Sequence, residues 1–336
     1  YYTDKKIDII NNRFLKYDNM LGLTATYYDH NNYYKNIEFF CPVIDTIDEE
    51  EALEKDFISD FIEYNLGLEL KKEEQEQYNK YSETISKGMQ YFQGRLDIAY
   101  ACVSGKMVNG SKKSSIEYRT AYRNHLASKN KDVSKYYSVE SLFFNALNLT
   151  RAIRDRKNLL YNASSKLSTS VEILNRYRNE YLILFSESTT FSDKVYELAE
   201  QKNKDNAVIY HSQLKSVMLP SEKTGKIIKH GSKKLKDRAV NRINRGVSKH
   251  LITASSFDKG LDIPLLKISL TASGTSNISK YIQRSGRVKR KNKNKMMSYV
   301  INLYIKNSQE ESWLNSRQAR ASNFIKEINN VNQIKI

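Results

Sequence analysis

The residues with the clearest chemical potential are an octapeptide near the C-terminal end, Gln283-Arg284-Ser285-Gly286-Arg287-Val288-Lys289-Arg290. Three guanidiniums at fixed spacing around a glycine suit the stabilisation of negative charge that builds on oxygen during phosphoryl transfer. Each arginine offers a rigid planar fork of donors that a lysine point charge cannot reproduce. Arg287 and Arg290 are three residues apart, so a continuous helix would place them on one face. A plain basic surface run is the competing reading, since Lys291, Lys293 and Lys295 extend the charge.

A second constellation, Phe257-Asp258-Lys259-Gly260-Leu261-Asp262-Ile263-Pro264, follows a short apolar run ending at Thr253. Gly260 would permit a tight turn with close backbone approach, and Asp262 would accept hydrogen bonds there. Upstream, Leu184-Phe185-Ser186-Glu187-Ser188 ends another apolar run, and Ile209-Tyr210-His211-Ser212 a third. Ser186 and Ser188 at such an edge either donate to phosphates or cap the next helix. His211 either touches a ligand or is an ordinary structural histidine.

These groups need a scaffold. Tyr181–Phe185, Ala207–Tyr210, His250–Thr253, Ile268–Thr271 and Tyr299–Tyr304 are continuous apolar runs of strand length. Helical patterns lie between several of them, including residues 192–201 and 234–245. Such alternation predicts an α/β fold with a parallel sheet buried on both faces. Residues 48–63 predict an amphipathic helix, as do residues 70–91, 139–149 and 165–177. Residues 105–115 predict a polar loop, and residues 310–329 a C-terminal helix.

The charge supports a polyanionic partner. The 336 residues carry a formal net charge of +17, and Lys or Arg contacts to phosphates release condensed counterions. The excess sits in the C-terminal half: residues 202–250 hold 13 basic against three acidic residues, whereas residues 45–76 hold 13 acidic against three basic. Two lone cysteines without a Cys-x-x-Cys pair offer no zinc site and fit a reducing compartment. No apolar run approaches a bilayer span. A cytoplasmic protein without a membrane partner is expected.

The octapeptide matches Q-R-x-G-R-x-x-R, the motif VI of superfamily 2 helicases. The Gly260–Pro264 segment resembles motif V, the Ser186 segment motif IV, and Leu21-Gly22-Leu23-Thr24-Ala25-Thr26 motif III, all in family order. The motif V pattern departs where Ala254, flanked by Thr253 and Ser255, replaces the family's threonine. The resemblance covers residues 14–30 and 181–306. It implies a RecA-like parallel sheet flanked by helices, interrupted by a mostly helical insertion. It also implies ATP-dependent helicase or translocase activity. Arg287 and Arg290 would reach the γ-phosphate, Gly260, Asp262 and Gln283 would serve the nucleotide, and Thr24, Thr26, Ser186, His211, Thr253 and Ser255 would line the nucleic-acid track.

The resemblance also implies what this sequence lacks. No G-x-x-x-x-G-K-[S/T] loop and no correctly placed Asp-Glu pair occur, so ATP and Mg²⁺ would rely on ligands outside this chain. The expected organisation is residues 1–65 as the end of a first motor domain, 66–180 as insertion, 181–309 as the second RecA-like domain, and 310–336 as a C-terminal helix. Expected partners are nucleic acid, DNA in preference to RNA, and the missing N-terminal motor half in cis or in trans. The Lys-, Asn-, Tyr- and Ile-rich composition suits a phage-encoded protein. The rival readings are a non-catalytic nucleic-acid-binding subunit with a relic motor fold, and a basic structural virion protein.

Overall fold

The computed structural model describes residues 42–108, 111–129, 137–220, 225–254, 263–292, 297–318 and 324–336. Two compact units emerge. One comprises residues through Leu68 together with Ser168–Ile336, and the other Glu69–Leu167. Its elements in chain order begin with α1 (Glu49–Glu54) and β1 (Asp60–Leu68). Next come α2 (Lys72–Tyr91), α3 (Leu96–Ser104), β2 (Lys106–Val108), β3 (Ser111–Lys113), α4 (Ser115–Lys129), α5 (Val139–Tyr161) and α6 (Ser164–Arg176). The remainder is β4 (Leu182–Ser186), α7 (Thr189–Lys202), β5 (Ala207–His211), β6 (Val217–Pro220), β7 (Ile227–His230), α8 (Ser232–Asn244), β8 (His250–Ala254), β9 (Ile268–Thr271), α9 (Ile278–Lys289), β10 (Met297–Ile305), α10 (Gln309–Gln318) and β11 (Ile325–Ile328).

The larger unit is a seven-stranded sheet in the order β11-β1-β10-β9-β4-β8-β5. Every pairing in it is parallel. β4, β8 and β9 are buried at every position, as expected of central strands covered by helices on both faces. Ile183, Phe185, Leu251, Ile243, Val288 and Val300 form one apolar cluster, so helices α8 and α9 are fastened to the sheet by side chains from both. β6 and β7 form a separate two-stranded antiparallel hairpin between β5 and α8.

The smaller unit is helical apart from the β2–β3 hairpin, which forms within the segment read from sequence as a loop. Phe92, Ile98, Cys102, Leu142, Ala146 and Leu149 build its core. α5 starts with a reciprocal cap: Ser141 N–H donates to Ser138 Oγ at 3.0 Å, and Ser138 N–H donates to Ser141 Oγ at 2.9 Å. Buried Arg119 donates to the Cys102 carbonyl at 2.7 Å and stacks 4.6 Å from the Phe143 ring centre. Cys102 itself is a free buried thiol, pushed up to about 11 by desolvation.

Three sequence expectations need correction. The helix expected over residues 48–63 stops at Glu54, where Asp56 takes a positive φ of 60°, and residues from Asp60 form β1. The run Phe61-Ile62-Glu63-Tyr64 prefers the sheet because pairing buries it between β10 and β11. β1 crosses the boundary drawn at residue 65 and belongs to the C-terminal sheet. Likewise, residues 168–180 group with the sheet unit, not with the insertion. The helix expected over residues 310–329 ends at Gln318, and Ile325–Ile328 adds a seventh strand beside β1.

Candidate functional site

Parallel strands align their C-terminal ends along one edge of the sheet. Register pairs Ser186 with Ala254 and His211 with Ala254, so the ends of β4, β8 and β5 are immediate neighbours. Sequence reasoning placed Ser186, Thr253 and His211 here, and the structure brings them together. Their side chains, however, are turned into the protein. Ser186 is fully buried; its Oγ accepts the Ser188 N–H at 3.0 Å and lies 3.3 Å from Ser273 Oγ. Thr253 Oγ1 donates to the Leu184 carbonyl at 3.1 Å. His211, 1% exposed, accepts the Gln213 N–H at Nδ1 (3.2 Å) and so donates from Nε2 to Asp193 (2.9 Å). All three have local partners that shape the edge, and Ser188 caps α7 by accepting the Phe191 N–H at 3.2 Å.

The opposite contributor is α9, which carries the arginine motif. Gln283 is exposed and Arg287 half-buried. Arg284, 5% exposed, donates from Nη2 to Glu187 Oε1 at 2.7 Å and from Nη1 to the Ser273 carbonyl at 3.3 Å. Its guanidinium lies 5.2 Å from the Phe185 ring centre. Arg284 therefore locks α9 to the end of β4, and Lys280 adds a second, longer contact to Glu187 at 3.4 Å. No local pattern marks Glu187 as a functional residue, because its arginine partner lies 97 residues away.

The expectation that Arg287 and Arg290 share a helix face does not hold. α9 ends at Lys289, and Arg290 is an extended residue just beyond it, bridged to Ile58. The departure has a cause. Ser298 Oγ donates to the Val288 carbonyl at 2.5 Å, and Ser59 donates to the Lys289 carbonyl from N at 2.9 Å and from Oγ at 3.1 Å. These donors take up the last helical carbonyls, so the chain leaves the helix at Arg290. Lys289 is buried against the Phe61 ring at 3.7 Å and pairs with Glu49 at 2.6 Å. Arg287 thus projects from a rigid helix, and Arg290 from an anchored extended segment.

Behind α9 lies a buried carboxylate that sequence reading missed. Glu63 Oε2 accepts the Tyr281 hydroxyl at 2.5 Å, and Oε1 accepts Asn302 Nδ2 at 2.6 Å together with Gln318 Nε2. Burial, then the facing carboxylate, push the Tyr281 phenol far up, so it stays a donor. The network ties β1, α9, β10 and α10 together.

Thr24, Thr26, Ser255, Gly260 and Asp262 lie outside the described residues. Among the described residues no group of three His, Cys, Asp or Glu could hold a metal ion, and no helix is long and apolar enough to cross a membrane.

Comparison with known proteins agrees with this geometry. Residues 165–292 match the helicase conserved C-terminal domain. A curated relative, the DNA 3'-5' translocase XPB2 of Sulfurisphaera tokodaii, is 22% identical over 134 residues, which are 40% of this chain and 25% of that protein. The chain thus spans about a quarter of this relative's length. Among solved structures, the C-terminal part of the Fun30 ATPase domain aligns at 10% identity over 77% of this chain and 90% of that one, with TM-score 0.45. S. cerevisiae Dbp5 bound to RNA and ADP BeF3 aligns at 14% identity over 56% and 55%, with TM-score 0.37. The matched segment contains β4, β5, β8, β9 and α9 with its arginine motif, and over residues 165–292 the chain carries a helicase conserved C-terminal domain.

Proposed function

We propose that this chain is the C-terminal motor half of an ATP-dependent nucleic-acid translocase or helicase. The supporting observation is the mounting of the arginine motif. Arg284 is immobilised on Glu187, the end of α9 is clamped by Ser59 and Ser298, and Arg287 and Arg290 are held on either side of that clamp. Rigidly placed guanidiniums stabilise charge on a transferring phosphoryl group without reorganising, and an arginine finger contributes about 10³–10⁵ in rate.

The two groups implied by the family fit this chain unequally. The arginines suit the γ-phosphate of ATP, and Gln283, exposed on the same helix, would face the nucleotide with them. Mg²⁺ finds no carboxylate cluster among the described residues, and Glu49 of the acidic run is already paired with Lys289. The metal and the phosphate-cradling loop would come from a first motor domain, in cis or in trans. The basic C-terminal half and the edge formed by β4, β8 and β5 would grip a nucleic-acid backbone. The XPB2 relative is a DNA translocase, which favours DNA over RNA as the track.

Nucleic-acid-stimulated ATPase tests this reading, measured on the chain alone and mixed with a domain carrying the phosphate loop. The expected result is activity in the mixture only, lost at least ~10³-fold with Arg287→Ala. Binding without ATPase in any mixture would replace it with a non-catalytic binding subunit.

A further inference from the structure

The segment 272–277 leaves β9 at the same sheet edge and enters α9. A cleft there is lined by Gly274, Thr275, Asn277, Lys280, Arg284 and Arg317. Three cations from two helices face it, and Glu187 pairs with two of them, Lys280 and Arg284. Arg317 is the unusual member. It is 7% exposed, donates from Nη1 to the Thr275 carbonyl at 3.1 Å, and lies 5.7 Å from the Tyr281 ring centre. Its Nε has no hydrogen-bond partner. Among the described residues, no carboxylate forms an ion pair with it. Burying a guanidinium with no carboxylate in direct contact is unfavourable, and a buried polar atom left unsatisfied points to a site built for more than packing.

The backbone is shaped around this guanidinium. A Cβ at Gly274 would lie 2.9 Å from Arg317 Cζ and closer still to Nη1. The glycine therefore lets the planar group lie against the main chain. Burial pushes the Arg317 pKa down, opposed by Tyr281 and by the charges of Glu310 and Glu63. Asn277 caps α9 by accepting the Lys280 N–H at 2.9 Å, and the helix terminus adds its own partial positive charge.

We propose that this cleft seats a phosphate group of the nucleic-acid backbone, with Arg317 and Lys280 as its ligands. The proposal rests on the nucleic-acid-motor reading and names one end of the track. Thr271 ends β9 next to β4, so the ends of β9, β4, β8 and β5 form a row about 14 Å long at ~4.8 Å per strand. That row matches several nucleotides of one strand at ~3.4 Å each. The cleft is not the γ-phosphate seat: Lys280 and Arg287 are separated by about 10 Å along α9. Arginine forks match phosphate oxygens bidentately, and Arg317 brings to the cleft a guanidinium with no carboxylate ion pair among the described residues.

The test is fluorescence anisotropy of a labelled oligothymidylate binding to the full chain across a potassium chloride series. Wild type is compared with Arg317→Gln, Lys280→Ala and Gly274→Ala, with Lys87→Ala as a charge control in the helical unit. Removing one phosphate contact lowers the log–log salt slope by about 1 and weakens binding roughly 5–10-fold at ~0.1 M salt. Arg317→Gln and Lys280→Ala are expected to do this, and Gly274→Ala to weaken binding at unchanged net charge. Lys280 is a partly exposed side chain, so Lys280→Ala keeps the test valid if Arg317→Gln fails to fold. Wild-type binding with unaltered variant slopes would overturn the cleft and leave the motor reading standing. No wild-type binding would overturn both. Unaltered oligonucleotide slopes, with millimolar inorganic phosphate stabilising wild type but not Arg317→Gln, would assign the cleft to a free anion and overturn the backbone assignment.

Discussion

At the residue scale, the arginines of one motif perform separable tasks. Arg284 and Glu187 are both nearly buried and bonded to each other, so removing one takes from the other its 2.7 Å charged partner. Arg284→Ala is expected to destabilise the sheet unit by about 3 kcal/mol, measured by the midpoint of denaturant unfolding. Arg287→Ala, on a half-buried position of the same helix, should shift that midpoint by less than about 1 kcal/mol while abolishing ATPase in the reconstituted motor. Equal destabilisation by both would refute the division. The histidines add a pH term. His250 is buried at the start of β8, its Nε2 3.2 Å from the Tyr177 carbonyl, and desolvation lowers it from 6.5 to about 4. The unfolded chain therefore binds a proton that the folded chain refuses between these values. Stability is full above pH 6.5 and falls as pH drops toward 4, by about 3 kcal/mol for this residue. His250→Gln should flatten the unfolding midpoint over that window relative to wild type.

At the element scale, β4, β5, β8, β9 and β10 were legible because each is a locally consistent pattern. Leu182-Ile183-Leu184-Phe185 is apolar throughout, and only a doubly covered strand suits it. β1 was not legible as a strand, because the acidic run before it and Glu63 within it mimic an amphipathic helix. Its identity comes from β10, found more than 200 residues later, and from the donors that satisfy Glu63. The side-chain orientations of Ser186, Thr253 and His211 were not legible for a related reason. Their position at the strand ends follows from sequence, but whether a hydroxyl faces solvent depends on Ser188, Leu184 and Asp193, which sequence does not rank. Close helix crossing was likewise invisible. In the helical unit a Cβ on Gly88 would sit 2.8 Å from Leu149 Cβ, so α2 approaches α5 through the glycine. Gly88→Ala improves helix propensity by about 1 kcal/mol yet overpacks by roughly 1–3 kcal/mol. The net expectation is loss of stability, and a gain in the thermal midpoint would show that α5 yields.

At the scale of the whole molecule, two hydrophobic cores among the described residues share no members. One joins the sheet to α8 and α9, and the other joins α2, α3 and α5. The helical unit is inserted between β1 and β4 of a sheet whose strands pair across the gap. Separate cores of this size open as separate cooperative units, with free energies that differ. Leu142 is fully buried in the helical core, so Leu142→Ala should cost that unit about 2–5 kcal/mol through lost burial and an unfilled cavity. Leu142 is not a member of the sheet cluster. Hydrogen exchange read by mass spectrometry should then show faster exchange in peptides from residues 69–167, while peptides covering β4, β8 and β9 keep their protection. Acceleration spread equally over both sets would mean that the chain unfolds as one unit, and the insertion would then be part of the motor fold's own stability.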